Sequence, residues 1–305
     1  MGRPDPYVVV EAGAGPGTLA VGVLAARPEC STALRYVLVE RSARWRERQA
    51  ARLPLEPAGM VLGPMVVADS DLGPQPVSGI GPLFTALSEL PVGPFEGVTV
   101  ANELLDNLPF RLLERGAGGA WSEVRVTAEL EELLVEAPPA VAAEAARLAP
   151  AAGPGARVPL QHEGAAWLRA ALSGLLRGRV VVVDYADTTP SMATRPWTEW
   201  VRTYRSHGRG GDPLDDLGRQ DVTCEVAVDQ LAAVASPGAD QSQAEFLRAH
   251  GVDDLAEAAR RHWQQRASIG DLDALQARST AGEAAALTDP AGLGAFRVLE
   301  WTVSP

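Results

Sequence analysis

The 305-residue chain is 46% hydrophobic and carries a formal net charge of -12 at pH 7. This length and hydrophobic content allow one large core, or a core with a smaller subdomain, and exclude a disulfide-stapled mini-domain. The acidic balance provides no overall basic field for phosphates, so neither nucleic acid nor an anionic membrane is expected as a general partner.

The N-terminal region predicts a strand, a glycine-rich turn, a helix and a second strand. Residues 7–10 are apolar on both faces, as in a central parallel strand, and residues 36–39 repeat that pattern. Residues 18–26, between the two runs, are predicted to form a helix. This order is typical of a doubly wound, Rossmann-like α/β sheet.

The next part of the chain gives weaker signals until two further aliphatic runs. We predict a second helix at 41–53 and a third strand at 65–67. Residues 69–94 are rich in Pro, Gly and Ser and are predicted to form a long loop with a short helical piece. The later strands of the sheet are predicted at 98–100, the fourth in order, and at 180–183.

An insertion between those two strands is expected to hold a β-hairpin, formed by residues 110–113 and 122–126, and an alanine-rich helix near 139–149. Residues 186–240 are predicted to be rich in loops. Further elements are expected in the C-terminal region: helices at 242–249 and 252–266, and a strand at 296–303. We accordingly divide the chain into the first half of a core (1–110), an inserted hairpin and helices (111–179), and the remainder of the core with its loops, C-terminal helices and strand (180–305).

The turn after the first strand has the pattern E-x-G-x-G-x-G. Its glycines, Gly13, Gly15 and Gly17, allow a sharp bend and close approach of the backbone to a ligand, and the following helix directs its N-terminus there. The same pattern also occurs in ordinary tight turns between a strand and a helix. The glycines alone therefore do not decide between a binding site and a structural turn.

Two acidic residues at strand ends favour nucleoside binding. Glu40 ends the second strand, where a carboxylate can accept hydrogen bonds from both ribose hydroxyls. Glu11 places an acid directly before the glycine turn, and Pro16 replaces a residue whose amide could face the pyrophosphate of a dinucleotide. Both details favour S-adenosylmethionine over a dinucleotide as the cofactor. The alternative is that both carboxylates are merely solvated strand ends.

A second polar group follows the strand predicted fourth, within the string A-N-E-L-L-D-N-L-P-F (101–110). Asn102, Glu103 and Asp106 would stand at the rim where open α/β sheets bind ligands. Methyl transfer mainly requires alignment of the acceptor and stabilisation of its developing charge, and carboxylates with an amide carbonyl suit a nitrogen acceptor. Alternatively, Asn102 and Asp106 only cap the following turn or helix.

The chain resembles the MidA-like (DUF185) family of methyltransferases, whose mitochondrial members assist complex I assembly and dimethylate a protein arginine. Besides the glycine turn and the string at 101–110, the similarity covers nearly the whole chain in order. It includes these strings: L-V-E-R-S (38–42), R-E-R-Q (46–49), W-S-E-V-R-V (121–126), V-V-D-Y (182–185), D-P-L-D-D-L-G-R-Q-D-V-T (212–223), S-Q-A-E-F-L (242–247) and D-P-A-G-L-G-A-F-R-V-L (289–299).

The resemblance implies a role for each matching residue. The residues implied to bind the cofactor are Glu11, Gly13, Gly15, Gly17, Glu40, which holds the ribose, and Asn102. Those implied to line the transfer site are Asn102, Glu103 and Asp106, with Asp184, Tyr185 and Asp221 near the substrate. For Asp184 and Tyr185 the alternative is a strand-end hydrogen bond and a half-buried ring.

The sequence departs from the family pattern at two places. Family members usually carry a segment before the glycine turn with a G-D-F-x-T-like stretch that helps to close the pocket, whereas this chain starts almost at its first strand. A truncated start or a reduced member is therefore expected. Residues 293–295 read L-G-A where the family tends to have M-G-E, so the role of that acid cannot be transferred.

The remaining polar residues give few functional signals. Cys30 and Cys224 lack zinc-site or disulfide spacing and are expected to be buried thiols, and the four histidines lack ligand spacing, so no metal site is expected. His207 is a candidate to face the substrate channel, because loops often carry binding residues. Trp197 and Trp200, near Tyr204, are expected to pack their loop, and the alternative is that they cover an acceptor peptide.

Together with the resemblance, the sequence therefore predicts an S-adenosylmethionine-dependent methyltransferase that acts on a protein side chain, an arginine nitrogen. A small-molecule methyltransferase and a non-catalytic assembly or binding protein with the same fold are the alternatives, and a dinucleotide-dependent oxidoreductase is the generic rival. No signal peptide or membrane span is recognised, so a soluble cytoplasmic protein is expected. The oligomeric state is left open, with a homodimer as one option.

Overall fold

The structure is a computed structural model that describes residues 3–63, 66–67, 75–76, 79–205 and 208–304. The elements up to the end of the fourth sheet strand are β1 (Tyr7–Ala12), α1 (Thr18–Ala26), β2 (Leu34–Val39), α2 (Ala43–Ala50), α3 (Ala58–Leu62), β3 (Val66–Val67), β4 (Gln75–Pro76), β5 (Leu83–Leu87) and β6 (Phe95–Asn102).

The middle of the chain alternates short strands with two longer helices. Its elements are β7 (Arg111–Arg115), β8 (Trp121–Val126), β9 (Glu132–Glu136), α4 (Pro139–Leu148), β10 (Arg157–Leu160), α5 (His162–Ser173) and β11 (Leu175–Asp184).

The C-terminal part begins with short elements and ends with a helical pair and a strand. Its elements are β12 (Ala186–Asp187), α6 (Thr189–Met192), α7 (Trp197–Trp200), β13 (Val201–Arg205), β14 (Gly208–Arg209), β15 (Asp221–Cys224), β16 (Val226–Ala227), α8 (Val228–Ala232), β17 (Ala239–Ser242), α9 (Gln243–Ala249), α10 (Val252–Arg266), α11 (Leu272–Leu287) and β18 (Arg297–Val303).

A seven-stranded sheet in the order β17-β18-β11-β6-β1-β2-β5 forms the centre of the fold. The five strands from β11 to β5 are parallel, and β18 runs antiparallel to both of its neighbours. The predicted doubly wound, Rossmann-like sheet is confirmed. Chain order reverses between β1 and β6, and such a point creates a crevice at the carboxyl ends of the strands.

The central strands form because their residues are apolar on both faces. All six residues of β2 are buried, and Val10 and Val37 are fully inaccessible. Burying a Val or Leu side chain contributes about 1.5–3 kcal/mol, so these runs place β1 and β2 firmly in the middle of the sheet. The predicted strands at 98–100 and 180–183 are likewise confirmed as the inner parts of β6 and β11.

The prediction for the third strand was wrong. Val66–Val67 pairs with Gln75–Pro76 in a separate antiparallel ladder, and Met65 lies outside the described residues. The edge position of the main sheet is taken by β5, within the region predicted to be a loop with a short helical piece. β5 was not predicted because Pro and Gly stand on both sides of it. Its Phe84 is fully buried and stacks on Tyr36.

The insertion contains two strands, β9 and β10, that the sequence did not predict. The predicted hairpin is confirmed as β7 and β8, but it belongs to a four-stranded antiparallel sheet in the order β10-β7-β8-β9. The alanine-rich helix is confirmed as α4. The strand β9 escaped prediction because all five of its residues are exposed, so no buried face marks it.

The region predicted to be rich in loops, 186–240, contains several short elements, including a three-stranded sheet in the order β14-β13-β15. The later helices and strand are confirmed as α9, α10 and β18. Helix α11 was missed because its buried residues are alanines, which give a weak apolar period. Across the described part of the chain, no helix combines the length and apolarity needed to cross a membrane.

The two cysteines differ in burial. Cys224 is fully buried, as expected, whereas Cys30 is only half-buried. The expectation of two buried thiols was therefore wrong for Cys30, which precedes the short 3-10 turn leading into β2.

Candidate active site

The glycine turn wraps the carboxyl end of β2. The amides of Gly13 and Ala14 both donate to the carbonyl of Val39, at 2.9 and 3.1 Å. Gly13, Gly15 and Gly17 have φ angles of 73°, 49° and 76°, which favour glycine because a Cβ atom is strained there. The three glycines of the motif are thus required by the backbone conformation of the turn.

Glu40 connects the end of β2 to this turn. Its Oε2 accepts a hydrogen bond from the Gly15 amide at 3.0 Å, and its Oε1 accepts one from the Ser42 amide at 2.8 Å. Gln49 on α2 donates to the Gly15 carbonyl at 2.7 Å. The Glu40 carboxylate is partly exposed, and each oxygen has a second lone pair with which to accept a hydroxyl group.

Glu11 is not a solvated strand end, contrary to the alternative considered from the sequence. It is buried, and the Tyr36 hydroxyl donates to its Oε2 at 2.8 Å. Burial raises the pKa of Glu11 to about 7, because the charged form loses hydration, while the Tyr36 hydrogen bond acts in the opposite direction.

Sequence reasoning did not identify Tyr36 as part of the site. The available signal was a tyrosine at the start of the otherwise aliphatic run 36–39, since a buried tyrosine hydroxyl needs a hydrogen-bond partner. The identity of that partner depends on strand pairing: β1 and β2 are adjacent and parallel, with Tyr36 opposite Val9.

The space around the glycines fits a nucleoside cofactor. A Cβ atom built on Gly15 would meet no protein atom within 4 Å, so the turn faces open space there. A Cβ on Gly13 would lie 3.0 Å from Cδ1 of Leu104, which closes the other side of the turn. The open side adjoins Glu40, where ribose hydroxyls would be accepted.

The second polar group lies at the end of β6, beside the end of β11. Asn102 and Glu103 are exposed, and the Glu103 amide donates to the Val183 carbonyl at 2.9 Å. Glu103 adopts a φ of 47°, an uncommon backbone conformation for a non-glycine residue. The strand therefore ends in a sharp turn that leaves both polar side chains accessible.

Asp106 is buried at the same edge, 2% exposed, within a set of polar contacts. The Tyr185 hydroxyl donates to its Oδ2, and the Asn107 amide group donates to its Oδ1 at 2.6 Å. Burial raises the pKa of Asp106 to about 6; the Tyr185 hydrogen bond lowers this pKa, and the nearby Glu103 charge raises it. Asp106 does more than cap the turn.

Asp184 holds the turn of Asp106 against the end of β11. Its Oδ2 accepts the amides of Leu105 and Asp106 at 3.1 and 3.3 Å, and its Oδ1 accepts the Tyr185 amide at 3.0 Å. Burial, followed by the charge of Asp106, raises the pKa of Asp184. The strand-end hydrogen bond weighed for Asp184 is therefore present, and it positions the Asp106 turn.

Tyr185 is covered by neighbours that the sequence did not point to. The Arg202 guanidinium lies over its ring, 5.4 Å from the ring centre, and Phe296 packs edge-on at 5.3 Å. Arg202 in turn donates to Glu225 at 2.6 Å. These contacts bring β13 over the edge that carries Asn102, Glu103 and Asp106, which we call the acidic edge.

Of the other two residues predicted near the substrate, the structure describes only Asp221. Asp221 is exposed at the start of β15, opposite Tyr204 of β13. His207 lies outside the described residues. Packing by the tryptophans is confirmed: Trp200 is fully buried with its Nε1 donating to the Met192 carbonyl, and the Trp197 ring stacks on a guanidinium.

Comparison with known families agrees with this geometry. The family described as "Putative S-adenosyl-L-methionine-dependent methyltransferase" matches residues 1–246. The chain belongs to this family, which is the MidA-like group seen in the sequence, and it is an S-adenosyl-L-methionine-dependent methyltransferase. Among curated proteins no match was found.

Two solved structures from Burkholderia thailandensis, both of the COG1565 superfamily, resemble the chain over 97% of its length. One, an uncharacterised protein in its native form, is 27% identical with a TM-score of 0.71, and 74% of its own chain is covered. The other is bound to S-adenosyl-homocysteine, is 25% identical with a TM-score of 0.71, and is covered over 71%. The fold of these two structures, and the S-adenosyl-homocysteine bound in one of them, agree with the family to which the chain belongs.

Proposed function

We propose that the enzyme transfers a methyl group to a protein side chain, an arginine nitrogen, at the edge formed by Asn102, Glu103 and Asp106. The observation that supports this proposal is the buried Asp106 carboxylate, which is held by Tyr185 and stands two residues after Leu104, whose side chain lies against Gly13. A carboxylate fixed at a strand end suits a cationic acceptor, because it attracts and orients the positive charge.

The cofactor would lie along the ends of β1 and β2, held by Glu11, the three turn glycines, Glu40 and Asn102. The Glu40 carboxylate accepts the Gly15 amide and retains lone pairs for ribose hydroxyls. Glu11 offers a buried carboxyl group beside the turn, and burial raises its pKa to about 7. When bound, the cofactor supplies a methyl group on a positively charged sulfur.

The acceptor side requires little proton chemistry before transfer. An arginine guanidinium has a pKa above about 12, so the carboxylates of Glu103 and Asp106 would orient it and offset charge more than they remove a proton. Burial raises the pKa of Asp106, while the hydrogen bond from Tyr185 favours its ionised form. Its fixed position would align the attacking nitrogen, which is the main requirement of an in-line displacement.

Binding of S-adenosyl-homocysteine, measured by calorimetry, tests the cofactor half of this proposal. We expect clear binding by the wild-type chain and a loss of about tenfold or more for Glu40→Gln, because hydrogen bonds to a charged group contribute more than those to a neutral amide. Glu47→Gln, an exposed change on α2, is the matched control and should bind normally.

The acceptor half is tested with cell extract and cofactor labelled on its methyl group. Mass spectrometry should locate the label on arginine of a protein, and Asp106→Asn should abolish the transfer while retaining cofactor binding. Label in small molecules only would favour a small-molecule methyltransferase. Failure of the wild-type chain to bind S-adenosyl-homocysteine would favour the non-catalytic alternative.

A further inference from the structure

We propose that a groove beside the acidic edge binds an apolar side chain on a cationic, extended segment of the methyl-acceptor protein. This inference rests on the proposed function and adds which part of the acceptor is recognised. The groove lies between one face of the β7-β8-β9 sheet and the smaller sheet that contains β13 and β15.

The groove is a cavity of about 340 Å³ with mostly apolar walls. The first wall is formed by Leu112, Val124 and Val126 on the larger sheet. The opposite wall and the mouth are formed by Trp197, Val201, Pro213, Leu214 and Val222. Ligand pockets typically have such predominantly apolar linings, so the cavity suits an aliphatic or aromatic side chain.

Continuity with the acidic edge places the groove on the acceptor side. Phe110 lines the groove and stands four residues after Asp106, at the end of the same polar string. Strand β15, which contributes Val222 to the wall, packs against the 105–107 turn that carries Asp106. A chain segment bound at this edge would therefore continue towards the groove through the side that Phe110 and β15 share.

Charged residues that line the groove are largely paired with one another. Arg111 donates twice to Glu123, at 2.8 and 2.9 Å, and Arg125 donates to the same carboxylate at 2.6 Å. Glu132 accepts two hydrogen bonds from Arg157, at 2.9 and 2.6 Å. These paired charges need no counter-charge from a ligand, which favours a neutral, apolar occupant inside the groove.

Two acidic segments flank the groove and determine the charge expected around that occupant. Residues 127–136, the β8–β9 turn and β9, contain no basic residue and four glutamates, of which Glu132 is paired with Arg157. Residues 212–221, the segment leading to β15, contain one arginine and four aspartates, of which Asp216 is paired with Arg205. A segment with an apolar residue for the groove and basic residues for its flanks matches both surfaces, and such electrostatic complementarity favours association of the correct partner.

The test uses short labelled peptides and the full chain saturated with S-adenosyl-homocysteine. Three peptides of about nine residues are compared, a length that recognition grooves accommodate. The first alternates Leu and Arg, the second Ser and Arg, and the third Leu and Glu. Fluorescence anisotropy should show the Leu–Arg peptide binding about tenfold more tightly than either of the others, a difference of about 1.4 kcal/mol. Equal affinity for the Leu–Arg and Ser–Arg peptides, or for the Leu–Arg and Leu–Glu peptides, would overturn the proposal.

Variants of the walls decide whether that binding occurs in the groove. Val126→Ser combined with Val222→Ser changes two exposed side chains, so the fold should persist, and the Leu–Arg peptide should lose most of its advantage over Ser–Arg. Leu255→Ser, an equally exposed change on α10, is the control and should bind as the wild type does. A double variant with wild-type preference contradicts the assignment.

The same titrations separate this inference from the proposed function. Wild-type chain that binds S-adenosyl-homocysteine but none of the peptides rejects the groove assignment alone. Chain that fails to bind S-adenosyl-homocysteine rejects the proposed cofactor site, whatever the peptides do.

Discussion

The hydroxyl group of Tyr185 donates a hydrogen bond to Oδ2 of Asp106, a residue 79 positions earlier in the chain. The contact joins the residue after β11 to the turn after β6, and it secures the only strongly buried carboxylate of the string at 101–110. The adjacent Asp184 fixes the same turn through main-chain amides. Asp184, the last residue of β11, and Tyr185, which follows it, therefore both position Asp106, one acid of the proposed transfer site.

Replacing Tyr185 by Phe should alter the pH dependence of methyl transfer. The hydrogen bond lowers the pKa of Asp106, so its loss should raise that pKa above about 6 and move the acidic limb of the rate profile to higher pH. Transfer of labelled methyl groups to extract protein, measured from about pH 5 to 9, shows the shift. Tyr204→Phe on β13 is the control, and an unshifted profile in Y185F would show that Tyr185 does not act through Asp106.

Replacing Gly15 by Ala should impair cofactor binding more than stability. A Cβ there meets no protein atom but requires a φ of 49°, which costs about 1–2 kcal/mol in an L-residue. The same atom would enter the space proposed for the cofactor, so S-adenosyl-homocysteine affinity should fall by about tenfold or more, that is by about 1.4 kcal/mol.

Gly251→Ala is the matched control for that experiment. Gly251 has a φ of 88° and equally open surroundings, but it precedes α10, far from the turn in sequence. Urea unfolding should show a similar loss of stability in both variants, while calorimetry should show normal binding only for Gly251→Ala. Equal binding by both variants would place the cofactor elsewhere.

Glu11 should make the stability of the fold depend on pH. Its pKa is about 7 in the folded chain and 4.5 as a free side chain, so the protonated form is favoured by folding. The corresponding stabilisation is fully present below pH 4.5 and is lost as the pH rises through 7. The shift corresponds to about 3 kcal/mol as an order of magnitude.

Glu11→Gln isolates this effect, because a neutral amide is nearly isosteric with the protonated acid. The difference in unfolding free energy between the variant and the wild type should be small at about pH 4 and should favour the variant by about 1–3 kcal/mol at about pH 8. Glu29→Gln, at an exposed position, is expected to show no such pH-dependent difference. Parallel stability curves for E11Q and wild type would contradict a raised pKa.

Asp184→Ala should destabilise the fold around the Asp106 turn. The change leaves the buried amides of Leu105 and Asp106 without their acceptor, and an unsatisfied buried donor costs about 1–3 kcal/mol. We expect a lower midpoint in urea and a loss of methyl transfer. Asp221→Ala on the surface of β15 should change stability by no more than about 0.5 kcal/mol.

Much of the central fold was predictable because its strands carry local signals. The aliphatic runs of β1, β2, β6 and β11 are long enough to show burial on both faces, and the glycine pattern marks the turn after β1. β5 lacked such a run, and its place in the sheet depends on pairing with β2. The short strands β9 and β10 depend in the same way on the hairpin beside them.

The sequence alone pointed to the polar side chains at the strand ends, Glu11, Glu40, Asn102 with Glu103, and Asp106, because parallel strands bring their carboxyl ends to one edge. It did not determine their partners or their ionisation. Tyr36 reaches Glu11, and Tyr185 reaches Asp106, only because of strand order and register, and the raised pKa values follow from burial that tertiary packing creates. The local sequence determines the periodicity of the strands and the chemistry of the turns. Contacts between distant segments depend on the order and register of the strands in the folded sheet.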